Sequence, residues 1–340
     1  MRGIIVCLVV AACGESLEGG DGSTSTSAST SATTSATTSS STSLSTTTTT
    51  SVGDTSVGDT SGTDSGVGES TADGGTTAPV EPGPDLRELG PHPTTTTEDS
   101  FAADGCTMGY TVTSPTDVAD APTVILAHGF QGNRASMADW AAHYASWGLV
   151  VVTPDLCHAT ILDSDHAQNG IDLVALADHL QLAAPIYAGY SAGGLAAVLA
   201  AAQDPEALAL VGLDMVDSGG LGAAVAASIA VPAHDVTAEP AMCNSTANGV
   251  PVFAAIPDAQ TVRIVEADHC DFQSPPDGFC SLCSGPNPTH TDEDIAAAIR
   301  GLTTAALVWR SGLDESGGQW WTPGNMWFDM LVESGTMNEL

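Results

Sequence analysis

Gly189-Tyr190-Ser191-Ala192-Gly193 is the pentapeptide from which the fold of this chain is most readily predicted. It follows an apolar run of strand length, residues 183–188, and precedes a run of Ala, Leu and Val, residues 195–202, that favours a helix. A G-x-S-x-G pattern between a strand and a helix predicts a sharp turn, because its two glycines leave room that a side chain would block. Such a turn holds a serine hydroxyl at the top of a sheet. Ser191 is therefore a candidate nucleophile.

Strand-like and helix-like segments alternate on both sides of this stretch. Strands are predicted at residues 108–113, 123–127, 149–153, 185–188, 208–213, 231–236 and 262–265. Helices are predicted at residues 135–147, 169–182, 195–202 and 292–310, the last capped by Thr291. Continuous apolar strands of this kind are typical of a sheet buried on both faces. The pattern predicts an α/β class protein with a doubly wound, mostly parallel sheet.

The first hundred residues have a different composition. Residues 14–100 consist mainly of Ser, Thr, Gly and Asp with almost no large apolar side chains. Such a segment buries too little surface to offset its chain entropy, so a disordered linker is predicted. The predicted organisation is a signal peptide at residues 1–12, a disordered Ser/Thr-rich tether at residues 13–100 and one globular domain at residues 101–340.

The signal peptide ends in Val10-Ala11-Ala12-Cys13-Gly14, which resembles the lipobox of bacterial lipoproteins. The resemblance implies cleavage before Cys13 and lipidation of that cysteine. It also implies sorting onward to the outer membrane, because Gly14 stands where a retained lipoprotein carries Asp. The alternative is an ordinary secretory signal with a chance cysteine. The expected location is exported and anchored to a bacterial membrane, most simply the outer one.

The charge balance excludes one class of partner. The chain has 41 acidic residues and six arginines with no lysine, which gives a formal net charge of −35. Nothing in this composition could neutralise phosphates, so nucleic acid is excluded as a partner. A self-repelling acidic surface favours solubility. The domain is expected to be a monomer.

A nucleophilic serine needs a histidine base and an acid that orients it. Of nine histidines, His269 follows the last predicted strand in a short polar loop, at the sheet edge where Ser191 is expected. Asp214 ends the strand 208–213 and is the first choice for the acid. Asp217, three residues later, and then Glu239, after the next strand, remain alternatives in that order.

His128-Gly129-Phe130 directly follows the strand 123–127. The loop at this place supplies one backbone N–H of an oxyanion hole, and the residue after the nucleophile supplies the other. Phe130 and Ala192 are the candidates.

These motifs together resemble a known family. His128-Gly129-Phe130, then Gly189 to Gly194, then Gly212-Leu213-Asp214 look like the chlorophyllase and dienelactone-hydrolase-like branch of the α/β hydrolases, which is related to cutinase-like polyester hydrolases. The resemblance covers about residues 105–310. Two positions depart from it: dienelactone hydrolases proper use a cysteine where this chain has Ser191, and chlorophyllases have proline where this chain has Met215.

The resemblance implies an α/β-hydrolase fold and a serine esterase. A carboxylic ester is the implied substrate, and the chemistry needs neither cofactor nor metal. The alternative from another class is a catalytically silent domain of the same fold that serves as a surface binding module. An intact serine, acid and histidine in the order typical of the family favour the enzyme.

The cysteine content predicts disulfides. Cys7 falls in the signal peptide, and six cysteines remain beyond Cys13. They are Cys106, Cys157, Cys243, Cys270, Cys280 and Cys283. An even number in an exported protein indicates three disulfides, with fifteen possible connectivities. A zinc site built on Cys280 and Cys283 is the less favoured alternative.

Overall fold

The computed structural model describes residues 81–276, Cys283 and residues 289–340. The predicted signal peptide, the lipidation site Cys13, most of the predicted linker and Cys280 lie outside the described residues.

Nine strands form one sheet. They are β1 (Thr94–Ala102), β2 (Thr107–Pro115), β3 (Thr123–Ala127), β4 (Val150–Pro154), β5 (Ile186–Tyr190), β6 (Ala209–Leu213), β7 (Ala233–Thr237), β8 (Ala259–Ile264) and β9 (Met337–Glu339). Their order across the sheet is β1-β2-β4-β3-β5-β6-β7-β8-β9. The six strands from β4 to β8 run parallel, while β1, β2 and β9 pair antiparallel with their neighbours. The sheet is therefore mostly parallel.

Seven α-helices among the described residues connect and cover these strands. They are α1 (Ala138–Ser146), α2 (His166–His179), α3 (Ala192–Gln203), α4 (Leu221–Val225), α5 (Val250–Ala254), α6 (Asp292–Arg310) and α7 (Met326–Glu333). The residues of α1, α6 and α7 pack in the hydrophobic core on one face of the sheet. Those of α2, α3 and α5 pack in the core on the other face. Helices on both faces confirm the predicted doubly wound α/β class.

The central strands are apolar throughout because both of their faces are buried. In β3, Val124 and Leu126 belong to one core and Ile125 and Ala127 to the other. Successive side chains of a strand point to opposite faces, so a strand between two helical layers needs an apolar residue at every position. This explains the continuous apolar runs that predicted the strands.

The described part of the domain includes residues 81–100, which the sequence analysis assigned to the linker. The expected boundary at residue 101 is wrong, because β1 starts at Thr94 and Leu86 is completely buried. The strand β1 is an edge strand that pairs along its whole length with β2, and eight of its nine residues are exposed. An edge strand of this kind is held by backbone hydrogen bonds and carries no apolar pattern that a sequence reading could detect.

The other predicted elements differ from the observed ones mainly at their ends, and the helices α4, α5 and α7 were not predicted. A 3₁₀ turn, Arg134–Met137, occupies the predicted start of α1. The helix α6 has the predicted limits, and Thr291 caps it with Asp294 in a capping box. The short edge strand β9 was not predicted. No helix in the described part of the chain has the length and apolar character needed to cross a membrane.

Candidate active site

Ser191 lies in the turn between β5 and α3. Its backbone has φ 55° and ψ −123°, an unfavourable conformation for a residue with a side chain. The flanking glycines make this turn possible. A Cβ on Gly189 would lie 2.3 Å from the carbonyl oxygen of Gly193, and a Cβ on Gly193 would lie 2.4 Å from those of Ala127 and His128. The predicted sharp turn is therefore present, with Ser191 at its apex.

His269 contacts Ser191 and Asp214 at the same time. Its Nε2 lies 2.9 Å from Ser191 Oγ, and its Nδ1 lies 2.5 Å from Asp214 Oδ2. An ionised carboxylate only accepts hydrogen bonds, so Nδ1 carries the proton and Nε2 is left to accept the hydrogen of the Ser191 hydroxyl. All three residues are buried, Asp214 completely. The geometry is that of a nucleophile, a base and an orienting acid.

The structure brings Asp214 to His269, and the two alternative acids lie elsewhere. Asp217 accepts the backbone N–H groups of Gly222 and Ala223 at the start of α4. The side chain of Glu239 is 44% exposed, and its carboxylate lies 3.9 Å from Arg263 Nε. Of the three carboxylates considered, Asp214 is the one in the triad geometry.

Asp214 receives hydrogen bonds from a group of donors that we call the Asp214 cradle, consisting of Thr237, Ala238 and Asn244. Thr237 Oγ1 donates at 2.8 Å and Ala238 N at 2.9 Å, both to Oδ1. Asn244 Nδ2 lies 3.3 Å from Oδ1 and 3.2 Å from Oδ2. Hydrogen bonds to a buried carboxylate stabilise its negative charge. The cradle therefore supplies Asp214 with hydrogen-bond donors in addition to His269.

A second carboxyl group, that of Asp235, is buried near the triad. Asp235 lies within β7, as expected from the sequence, and its two carboxyl oxygens have no hydrogen-bond partner among the described residues. Burial raises the pKa of Asp235 well above its usual range, and the negative charge of Asp214 raises it further. Since neither carboxyl oxygen of Asp235 makes a hydrogen bond within the described part of the chain, Asp235 does not take the place of Asp214 at His269.

Phe130 and Ala192 are the residues predicted to supply the two backbone N–H groups of an oxyanion hole. Ala192 is the first residue of α3, where N–H groups have no intrahelical acceptor. Neither N–H has an acceptor anywhere in the part of the chain that the structure describes. Gly129, which precedes Phe130, lies against the nucleophile, since a Cβ on Gly129 would lie 3.2 Å from Ser191 Cβ. Ala192 thus follows Ser191 directly in the chain, and Phe130 follows a glycine that lies against Ser191.

His128 fixes the peptide that carries the Phe130 N–H. Its Nε2 accepts a hydrogen bond from Leu156 N at 3.0 Å, so its Nδ1 carries the proton and donates to Gly129 O at 2.8 Å. The C=O and N–H of a trans peptide point in opposite directions, so this bond turns the Phe130 N–H away from His128. Burial lowers the pKa of His128, which keeps the imidazole neutral and its acceptor nitrogen available.

Two features hold the loop of His269. The ring of Tyr190 lies 4.8 Å from the imidazole ring, centroid to centroid. Residues Asp268 and Asp271 form a capping box around the 3₁₀ turn His269–Phe272. Burial raises the pKa of Asp271 to about 6, and the neighbouring carboxylates add to this effect.

Disulfide bonds join Cys106 to Cys157 and Cys243 to Cys283. Cys270 is also disulfide-bonded. Because Cys243 and Cys283 are bonded to each other, neither is available as a thiolate ligand for the zinc alternative. Among the described residues, no group of His, Cys, Asp and Glu side chains is able to hold a metal ion.

Sequence reasoning missed the residues that support the site. Thr237 and Asn244 were not identified, because an isolated threonine or asparagine beyond a strand carries no motif. The role of His128 had one signal, its position beside Gly129 in the predicted oxyanion loop. No protein-family model matches this sequence, and no curated protein matches it.

Proposed function

We propose that the protein is a serine esterase of the α/β-hydrolase type. The observation that carries this proposal is the continuous chain of contacts from Ser191 through His269 to Asp214. The sharp turn after β5, the chain order serine, acid, histidine and the loop after β3 are all features of that superfamily. The narrower resemblance to chlorophyllases and dienelactone hydrolases remains part of the proposal, as does a carboxylic ester as substrate.

Acylation begins at the serine. His269 Nε2 takes the hydroxyl proton as Ser191 Oγ attacks the ester carbonyl, and Asp214 stabilises the imidazolium that forms. The negative charge that develops on the carbonyl oxygen is held by the Phe130 and Ala192 N–H groups. Preorganised donors of this kind contribute about 3–4 kcal/mol each to transition-state stabilisation.

The leaving alcohol receives the proton from His269, which leaves an acyl group on Ser191. A water molecule then gives its proton to His269 and attacks the acyl carbonyl, which releases the carboxylic acid and restores the serine. Only groups of this chain and water take part in these steps.

The nucleophile is tested with p-nitrophenyl esters of increasing acyl length. We expect the wild-type protein to hydrolyse at least one of them, and Ser191→Ala to lose kcat by about 10⁶-fold or to the detection limit. Circular dichroism serves as the control that the variant is folded. A folded Ser191→Ala variant with wild-type activity would contradict the proposal. If the wild-type protein hydrolyses none of these esters, the result favours the alternative of a catalytically silent binding module.

We also propose that Cys13 is lipidated and anchors the protein to a membrane. The support is the lipobox-like Val10-Ala11-Ala12-Cys13. In a bacterial host, the wild-type chain should fractionate with membranes and Cys13→Ser should be soluble. Equal partitioning of the two chains would show that Cys13 is not the anchor.

A further inference from the structure

The amide of Asn244 has all of its hydrogen-bonding positions occupied. Its Nδ2 donates to Glu239 O at 2.9 Å and directs its other hydrogen between the two oxygens of Asp214. Its Oδ1 accepts from Ala241 N at 2.8 Å and from Ala247 N at 3.0 Å. Turning the amide over would set its oxygen against a carboxylate and a carbonyl. The surroundings therefore determine that the nitrogen, and not the oxygen, faces Asp214.

The backbone that follows Asn244 is in an unfavourable conformation. Ser245, Thr246 and Ala247 have φ values of 50°, 61° and 57°, which is a left-handed run without glycine. Each such residue is energetically costly and persists only where its surroundings hold it. Thr246 N donates to Ala241 O across this turn at 2.7 Å, and the disulfide of Cys243 begins it. This turn places the completely buried side chain of Asn244 against Asp214.

The cradle distinguishes the two oxygens of Asp214. Thr237 Oγ1 and Ala238 N bind Oδ1. Among the described residues, the donors that reach Oδ2 are His269 Nδ1 and Asn244 Nδ2. A carboxylate held at Oδ1 alone can still swing its second oxygen out of line with the imidazole. A donor shared between both oxygens resists that motion.

We propose that Asn244 and Thr237 are positioning residues for the triad acid. Together they hold the carboxylate plane of Asp214 so that Oδ2 faces His269 Nδ1. The inference rests on the proposed function and deepens it. Both side chains act through Asp214 and not on the substrate, so their loss should lower kcat and leave KM nearly unchanged.

Asn244→Asp is the most informative variant. It keeps the oxygen that accepts from Ala241 and Ala247, and it replaces the donor with an oxygen facing Asp214. At pH 8 we expect kcat to fall by about 100-fold, as small misplacements of catalytic groups do. At pH 5.5 the two adjacent carboxyl groups should share a proton, which restores a donor, so the deficit relative to wild type at that pH should shrink to about 10-fold or less.

The matched control is Asn248→Asp. Asn248 lies in the same segment, and its side chain bonds the backbone N and O of Asp217 instead of a triad carboxylate. We expect no change of kcat beyond about 3-fold at either pH. A purely structural effect of a new carboxylate in this loop would affect both variants in the same way.

Thr237 offers an independent variant if Asn244→Asp does not fold. Thr237→Val removes the hydroxyl donor to Oδ1 and should lower kcat by about 10-fold, and Thr237→Ser, which keeps the hydroxyl, should restore it. Thermal unfolding of each variant, measured at both pH values, verifies folding.

The inference is overturned if folded Asn244→Asp or Thr237→Val keeps kcat within about 3-fold of wild type at pH 8. It is also overturned if Asn248→Asp loses as much activity, or if KM rises while kcat stays constant. Failure of the proposed function gives a different result, because the wild-type chain would then show no Ser191-dependent hydrolysis. In that case the triad, and the positioning of its acid, are both refuted.

Discussion

Asp214 and Asp217 stand three residues apart, and their hydrogen-bond partners give them different roles. Both are buried, so burial does not separate them. Asp214 faces His269 and the donors of the cradle. Asp217 faces the first N–H groups of α4, where a carboxylate satisfies orphan donors at a helix start. Asp214 therefore contacts the candidate catalytic histidine, and Asp217 stabilises the start of α4.

Replacing these aspartates tests the assignment. Asp214→Asn should lower kcat by about 10⁴-fold, because an amide allows the wrong tautomer of His269. Asp217→Asn keeps an acceptor at the α4 start and should change kcat by less than about 10-fold. Steady-state kinetics on one p-nitrophenyl ester measures both. A larger kcat loss in Asp217→Asn than in Asp214→Asn would contradict the assignment.

The contacts of Ser191, His269 and Asp214 were predictable because each of these residues has a local signal. Ser191 lies in a five-residue motif, and Asp214 and His269 each follow a buried strand at the edge where parallel strands end together. Thr237 and Asn244 lack such a signal. They come from a different strand and loop than Asp214, and only the neighbouring arrangement of β6 and β7 brings them to it.

The residues of the candidate site lie at the carboxyl ends of parallel strands. The loop after β3 carries Phe130, the turn after β5 carries Ser191, the end of β6 carries Asp214 and the loop after β8 carries His269. These ends share one edge because the strands are parallel. Mostly apolar runs of four to six residues were sufficient to predict all of these strands, but not their neighbours in the sheet.

Some elements that were missed from the sequence, such as β1 and β9, lie at the margins of the domain, while the short helices α4 and α5 lie in the connections between β6, β7 and β8. Strands β1 and β9 are the edge strands, and both consist mostly of exposed residues. Residues 81–92 cross the helical layer as an irregular segment. It is held by backbone oxygens, such as Leu86 O, which accepts from His143 Nε2, and Glu88 O, which accepts from Trp147 Nε1. Contacts of this kind depend on the folded partner surface and leave no periodicity in the sequence.

Apart from its formal net charge of −35, the protein has titratable side chains in the interior of its domain. Four histidines, His128, His143, His166 and His234, are buried, and burial lowers the pKa of each. For His143 the folded value is about 4. These side chains are neutral in the folded protein, so protons bind more readily to the unfolded chain below about pH 6.5.

The sign of the pH effect follows from proton binding. When folding lowers the pKa of a histidine, the unfolding free energy falls as the pH falls from 6.5 towards the pKa of that histidine in the folded protein. Asp235 and Asp271 act in the opposite direction, because burial raises the pKa of each. His143 alone should account for a loss of about 3 kcal/mol between pH 7 and pH 4.

Urea unfolding of wild type and His143→Gln at pH 7 and pH 4 isolates this contribution. The variant removes the titrating group, so its unfolding free energy should fall by about 3 kcal/mol less than that of wild type over the same interval. The difference in unfolding free energy between the two proteins at pH 7 measures any other effect of the substitution on stability. An equal fall in the two proteins would show that His143 is not a buried neutral histidine.

The central claim is that Ser191 is a nucleophile activated by His269 and Asp214. Reaction of the full-length folded protein with a fluorophosphonate, followed by peptide mass mapping, tests it most directly, because the reagent reports an activated serine whatever the natural substrate. We predict one adduct per chain, located on Ser191, absent in Ser191→Ala and formed much more slowly in Asp214→Asn. A folded wild-type chain that forms no adduct, or forms it on another residue, would contradict the claim.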